Sequence, residues 1–127
     1  MNLTSNFRLE EFASPDADYF PISVINNLHE LAQNLEKLRS RLGVAIHVNS
    51  GWRTKEHNRR VRGESDSQHL YGKAADIWSE IYSPKEIHDL IEQLINAGAI
   101  QQGGLGLYNT FVHYDIRCTK ARWDYRK

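Results

Sequence analysis

The 127-residue sequence contains a single cysteine, Cys118. No intrachain disulfide can form, and a zinc site built from several cysteines is excluded. Basic and acidic residues both number 16, so the chain has no net charge and lacks the overall positive field that nucleic-acid binding uses. No run of about 18 apolar residues is present, which excludes a membrane-spanning helix. We therefore expect neither a nucleic-acid partner nor insertion into a membrane.

The N-terminal segment, residues 1–11, also lacks the apolar core of a secretory signal peptide, because it carries polar and acidic side chains instead. We expect a protein without a signal peptide that is made in the cytoplasm. A chain of 127 residues with 40% hydrophobic residues suits one folded domain over residues 1–127. We expect this domain to be monomeric.

Apolar residues spaced by threes and fours predict a long amphipathic helix over 22–42, which Gly43 ends. A second helix is predicted from Pro84, with Ser83 as its N-cap, to Gly98, and a short one near 55–61. Short apolar or alternating segments predict strands. They cover residues 44–49, 74–78, 103–108 and 111–117.

The last two of these strands are joined by a short turn and favour a hairpin. The remaining tail, residues 118–127, is basic and aromatic, and we interpret it as a solvated segment. Helices mixed with adjacent short strands are typical of the α+β class. We predict a small antiparallel sheet packed against helices.

Two histidines and an aspartate form the clearest candidate for a chemical site. His69 and Asp76 flank Gly72, where the chain can turn and present both side chains to one point. On the last predicted strand, His113 and Asp115 share one face, while their apolar neighbours take the other. Two imidazoles and one carboxylate with a free fourth position are a normal set for catalytic zinc. Taken residue by residue, a hydrogen-bonded structural histidine or a locally paired aspartate explains the pattern equally well.

Four motifs connect these residues to a known family. They are Ser50-Gly51-Trp52-Arg53, the S-x-H-x-x-G-x-A-x-D string from Ser67 to Asp76, the Gly104-Leu105-Gly106-Leu107-Tyr108 hairpin strand and Val112-His113-Tyr114-Asp115. Together they resemble the zinc D-alanyl-D-alanine carboxypeptidases, whose relatives include phage cell-wall endopeptidases and the signalling domain of Hedgehog proteins. The resemblance covers nearly the whole chain.

The resemblance implies a fold, a cofactor and a set of residue roles. It implies the fold that these peptidases share with the Hedgehog signalling domain. It implies Zn²⁺ bound by His69, Asp76 and His113. It also implies that Ser67 binds the substrate peptide and that Arg53 stabilises the negative charge developing on the scissile carbonyl.

The general base is less well specified by the sequence. Several family members have an acidic residue three positions before the last histidine ligand, where this chain has Thr110. Asp115 is the nearest carboxylate and is our candidate for the base. The same residue can instead orient a metal-binding histidine, as carboxylates commonly do around metals. Glu64 and Asp66 are the remaining alternatives.

By this resemblance the protein is predicted to be a zinc metallopeptidase that cuts peptide stems or cross-bridges of bacterial peptidoglycan. It would act on the wall after lysis, after export or from a phage particle. The alternative is a zinc-bearing module that binds the wall without cleaving it, which the residue at Thr110 favours. Aromatic side chains suit the walls of a peptide cleft. The candidates are Trp52, Tyr71, Tyr108 and Trp123, of which we expect Trp123 to pack back on the sheet instead.

Overall fold

The computed structural model covers residues 1–127 and contains α-helices, 3₁₀ turns and one sheet. The helices are α1 (Ile22–Leu42), α2 (Lys55–Arg60) and α3 (Pro84–Asn96). The 3₁₀ turns are Leu9–Phe12 and Gln68–Tyr71. The strands are β1 (His47–Ser50), β2 (Ala74–Trp78), β3 (Gly104–Leu107), β4 (Val112–Asp115) and β5 (Ala121–Asp124).

The five strands form a single sheet in the order β1-β2-β4-β3-β5. The first four pair in antiparallel fashion, and the predicted hairpin is confirmed as β3 and β4. β5 pairs parallel with β3, so the predicted antiparallel sheet is extended by one parallel strand and is mixed. The added strand comes from the tail that we expected to be solvated. The α+β class itself is confirmed.

The apolar sides of α1 and α3 cover one face of the sheet. Leu28, Leu31 and Leu35 of α1 are fully buried, because they recur on one side of that helix. α3 packs on β3 and β4 through the buried Ile87 and Ile91. The opposite face of the sheet is therefore left for polar groups. No helix combines the length and the apolarity that a membrane crossing needs.

The Gly-Leu-Gly-Leu sequence of β3 serves both faces of the sheet. Leu105 and Leu107 belong to the hydrophobic core. Gly104 and Gly106 lie on the other face, since successive residues of a strand point in opposite directions. A Cβ atom at Gly104 would lie 2.1 Å from a carboxylate oxygen of Asp115. These glycines thus leave room for larger side chains from the neighbouring strands.

Asn34 ties α1 to the segment that leads into β3. Its Oδ1 accepts the backbone N–H of Gln101 at 2.8 Å, and its Nδ2 donates to the carbonyl of Glu30 at 2.9 Å.

We predict that Asn34→Ala lowers the free energy of unfolding by about 1–3 kcal/mol, because the Gln101 amide loses its acceptor. Urea denaturation measures this, with exposed Gln33→Ala as the matched control, expected within about 0.5 kcal/mol of wild type. Equal stability of the two variants would contradict the prediction.

Candidate metal centre and cleft

One row of residues across the sheet carries most of the candidate site. Ser50 lies opposite Asp76, and Asp76 lies opposite His113. His113 in turn lies opposite Gly106, which pairs with Trp123 of β5. Residues that face each other across neighbouring strands point to the same side of a sheet. The register therefore places two of the predicted metal ligands side by side.

His69 reaches this row from the 3₁₀ turn Gln68–Tyr71. Ser67 caps the turn, since its Oγ accepts the backbone N–H of His69 at 3.2 Å. Nδ1 of His69 donates to the carbonyl of Gly51 at 2.6 Å. Because that carbonyl can only accept, Nε2 is the nitrogen with a free lone pair, and it lies 3.3 Å from Oδ1 of Asp76.

His113 is oriented in the same way by a different acceptor. Its Nε2 lies 2.7 Å from Oδ2 of Asp115, and its Nδ1 lies 3.3 Å from Oδ1 of Asp76. The Asp115 carboxylate accepts the Nε2 proton, which leaves Nδ1 as the ligand atom. The two imidazoles thus present one nitrogen each to the same carboxylate oxygen.

The three side chains satisfy the geometric requirement for a shared metal ion. Ligand atoms of His69, Asp76 and His113 all lie within 4.8 Å of one another, and all three residues are buried. Two nitrogens and one oxygen are a ligand set that zinc takes in catalytic sites, where a fourth position is left open. The predicted convergence of these residues is therefore present in the fold.

The charges around the three residues also suit a cation. Burial raises the pKa of Asp76, but the adjacent imidazoles of His113 and His69 outweigh it and hold that pKa well below its ordinary value. Burial lowers the pKa of His69, which favours its neutral form. At His113 burial also lowers the pKa, but the carboxylates of Asp115 and Asp76 outweigh it and the net pKa is raised. The same negative surroundings that attract a proton there favour a metal ion.

Asp115 is fully buried, on the same face of the sheet as His113. Its Oδ1 accepts from the backbone N–H of Gly104 at 2.8 Å and from the backbone N–H and Nε of Arg117 at 3.1 and 2.9 Å. Its Oδ2 accepts from Nη2 of Arg117 and from His113, both at 2.7 Å. Of the two interpretations that the sequence left open for Asp115, this geometry suits a residue that orients His113.

Arg53 lies against the metal-facing carboxylate on its other side. Its Nη2 donates to Oδ2 of Asp76 at 3.2 Å, and its Nε donates to Ser50 at 3.0 Å. Its Nη1 donates to Oδ1 of Asn58 at 3.2 Å. The guanidinium is thus held at three points beside the two histidines and the aspartate.

Asn58, which lies between the first two family motifs, received no separate role in the sequence-based prediction. It is buried, and besides accepting from Arg53 its Nδ2 donates to the carbonyl of Glu64 at 2.8 Å. A Cβ atom at Gly63 would come within 2.1 Å of its Oδ1. Asn58 therefore fixes both the arginine and the loop that precedes the 3₁₀ turn. Only the tertiary contacts reveal this.

A solvent-open cleft of about 510 Å³ lies above the three converging residues. Five of the predicted site residues line it, whereas Asp115 does not. Its other walls come from the loop after α2 and from aromatic side chains of β3, β5 and their ends. The predicted site residues in the lining are Arg53, Ser67, His69, Asp76 and His113.

Two of the four candidate aromatic residues contribute to this cleft. Tyr108 and Trp123 line it, and Trp123 also packs on the sheet as part of β5. Trp52 is instead buried beside Phe20, with the ring centroids 5.5 Å apart. Tyr71 points outward, and its hydroxyl donates to Asp66 at 2.6 Å.

Residues 5–115 match the sequence profile of the family described as Peptidase M15. The chain belongs to the Peptidase M15 family. The predicted relation to the zinc D-alanyl-D-alanine carboxypeptidases is thereby confirmed, and so is the coarser prediction of a zinc-dependent peptidase. No curated protein matches the chain at a significant level.

We predict that Asp115→Asn lowers the affinity for zinc by about 10- to 100-fold, because the carboxylate that fixes the orientation of His113 is lost. Competition with a chromophoric chelator measures the affinity. Asp89→Asn is the matched control, since Asp89 is half exposed on α3 and lies outside the cleft lining. Equal zinc affinity of Asp115→Asn and wild type would contradict an orienting role.

Proposed function

We propose that the protein is a zinc-dependent metallopeptidase that hydrolyses peptide bonds in the stems or cross-bridges of bacterial peptidoglycan. The observation that carries the proposal is the convergence of His69, Asp76 and His113 at the base of an open cleft. Membership of a peptidase family supports the reaction type, and a cleft of about 510 Å³ can hold a short peptide. The protein would act on the wall after lysis, export or delivery by a phage particle.

Zinc held by His69, Asp76 and His113 would supply Lewis acidity that polarises the scissile carbonyl and acidifies water. The role that we propose for Arg53 is to stabilise the negative charge on the carbonyl oxygen. Its bonds to Ser50, Asn58 and Asp76 hold the guanidinium in place before the reaction, so little reorganisation is needed when the charge develops.

Ser67 is proposed to bind the substrate backbone. Its Oγ already accepts the backbone N–H of His69, so the hydroxyl proton remains available for a peptide carbonyl. Ser67 lines the cleft and lies two residues before the first metal ligand. A hydrogen bond there would hold the peptide close to the reacting carbonyl.

For the proton acceptor we propose one of the two acids that line the cleft without belonging to the metal ligands. These are Glu64 and Asp66, both on the loop after α2. Asp115 is a poor base in this geometry, because both of its oxygens are occupied by strong donors and it lies outside the cleft. The backbone carbonyl of Glu64 is anchored by Asn58, which places that acid on a fixed part of the loop.

A non-catalytic wall-binding module is the second candidate, and Thr110 is the observation that favours it. This threonine occupies the position where several relatives have the acidic base, and Asp115 does not replace that base from inside the protein. A protein that binds zinc and wall fragments but never cleaves them would support the module.

The proposed function predicts that the zinc-loaded protein releases new amino groups from purified sacculi. Treatment with a chelator should abolish the release, and added Zn²⁺ should restore it, because the three ligands hold the ion on which the chemistry depends. Mass spectrometry of the products distinguishes a carboxypeptidase from an endopeptidase. Full activity of the metal-stripped protein would overturn the proposal.

We also predict that replacing the true base lowers kcat by about 10²- to 10⁴-fold even at saturating zinc. Glu64→Gln and Asp66→Asn are the two matched variants, and one of them should show this loss. Asp115→Asn should recover activity once zinc is saturating, since its defect lies in metal binding. Persistent inactivity of Asp115→Asn in its zinc-saturated form, with both loop variants active, would assign the base to Asp115 after all.

A further inference from the structure

The cleft extends beyond the region that the family profile matches. The match ends at residue 115, whereas β5 lies at Ala121–Asp124 and contributes Trp123 to the cleft. Tyr125 follows β5 directly and lines the cleft as well. The C-terminal strand therefore adds a surface to the site that the motifs did not assign.

Arg122 anchors β5 from the side opposite to the cleft. Its Nε and Nη2 donate to the carboxylate of Glu92 on α3, the shortest contact being 2.7 Å, and its Nη1 donates to the carbonyl of Gly103 at 2.7 Å. Neighbouring residues of a strand point to opposite faces. An arginine fixed on the helix side thus holds Trp123 on the side of the metal ligands.

The indole of Trp123 fills the space that Gly106 leaves open. A Cβ atom at Gly106 would lie 2.2 Å from the indole nitrogen, so no larger residue fits at that position without moving the tryptophan. The ring centroids of Trp123 and His113 are 4.9 Å apart. Trp123 is therefore in direct contact with a predicted metal ligand.

Other aromatic residues extend this surface away from His113. The indole nitrogen of Trp123 donates to the hydroxyl of Tyr108 at 3.0 Å. The ring of Tyr108 stacks on Phe111 at 4.3 Å and meets Tyr125 edge-on at 5.7 Å. We refer to Tyr108, Phe111, Trp123 and Tyr125 as the aromatic wall.

The lining of the cleft combines two kinds of chemistry. The aromatic wall contributes rings, and the loop with Arg62, Glu64 and Asp66 contributes charges. The guanidinium of Arg117 also lies over the Trp123 ring, 5.7 Å from its centroid, so a peptide bound there would meet both rings and charged groups. Ring faces bury methyl and methylene groups, whereas charged side chains bind amide, carboxylate or ammonium groups.

We propose that the aromatic wall, centred on Trp123, binds the apolar side of the substrate residue next to the scissile bond and so determines specificity. This inference rests on the proposed peptidase function for the identity of the substrate. The contact between Trp123 and His113 indicates which substrate residue is bound, because a residue lying on the indole would be adjacent to the bond that is cut.

The test is a glycine scan of a synthetic peptidoglycan stem peptide, in which one residue at a time is replaced by glycine. Binding to the zinc-loaded protein is measured by calorimetry, and cleavage is measured separately as kcat/KM. For one glycine-substituted peptide, the affinity of wild type should fall about tenfold, because that substitution removes the apolar side chain that contacts the aromatic wall. Trp123→Ala should bind the natural stem about tenfold more weakly and no longer distinguish it from that glycine variant.

Trp78→Ala is the matched control. Trp78 lies on β2 and stacks on His47 at 4.4 Å, so the control also removes an indole from an imidazole, but at a position that does not line the cleft. Trp78→Ala should show the same affinities for the glycine-substituted peptides as wild type.

Trp123→Phe retains a ring face and should still distinguish the natural stem from the glycine variant. If Trp123→Ala does not fold, Tyr125→Ala serves in its place, because Tyr125 is exposed, and it should weaken the discrimination.

The outcomes separate this inference from the proposed function. If Trp123→Ala and wild type show the same affinities across the glycine scan, the role of the aromatic wall is overturned, even if wild type cleaves the stem. If the affinities across the scan depend on Trp123 but the protein never cleaves the peptide, substrate binding by the aromatic wall is supported and the proposed peptidase function is overturned. A zinc-loaded wild type that binds no stem peptide overturns both.

Discussion

The buried carboxylate of Asp76 is the charge around which the site is built. Its Oδ1 lies 3.3 Å from a nitrogen of each imidazole, and its Oδ2 accepts from Arg53. Burying an ionised carboxylate is costly unless other groups compensate. Each compensating group then needs its own support, which explains the bonds from His69 to Gly51 and from His113 to Asp115. The polar framework of the cleft follows from stabilising this one charge.

A second constraint is space on the site face of β3. Glycine weakens a strand because it adds conformational freedom to the unfolded chain and contributes no side chain. Here two glycines create room for the Asp115 carboxylate and for the Trp123 indole. The strand is stabilised instead by pairing on both sides and by its leucines in the core. The Gly-Leu-Gly-Leu motif is therefore a compromise between core packing and room for the site.

Local patterns in the sequence predicted much of this fold and the three residues that converge. The helix over 22–42 and the strand over 74–78 are confirmed with their bounds, because apolar periodicity, Gly43 and flanking polar residues define them locally. β5 was missed because four residues, Ala-Arg-Trp-Asp, show no decisive periodicity and gain their partner from β3. Asn58 was missed for a similar reason, since its contacts join Arg53 to Glu64 only in the folded chain.

Asp115 shows where strand alternation stops being informative. The pattern correctly places Asp115 on the same face as His113, and a carboxylate on that face is compatible with either a base or an orienting role. The difference lies in what surrounds it, because Arg117 and the Gly104 amide close over the carboxylate and remove it from solvent. The Asp115 carboxylate is held ionised by hydrogen bonds from His113 and Arg117, and such a carboxylate is a weak proton acceptor. These two neighbours therefore determine the chemistry available to Asp115.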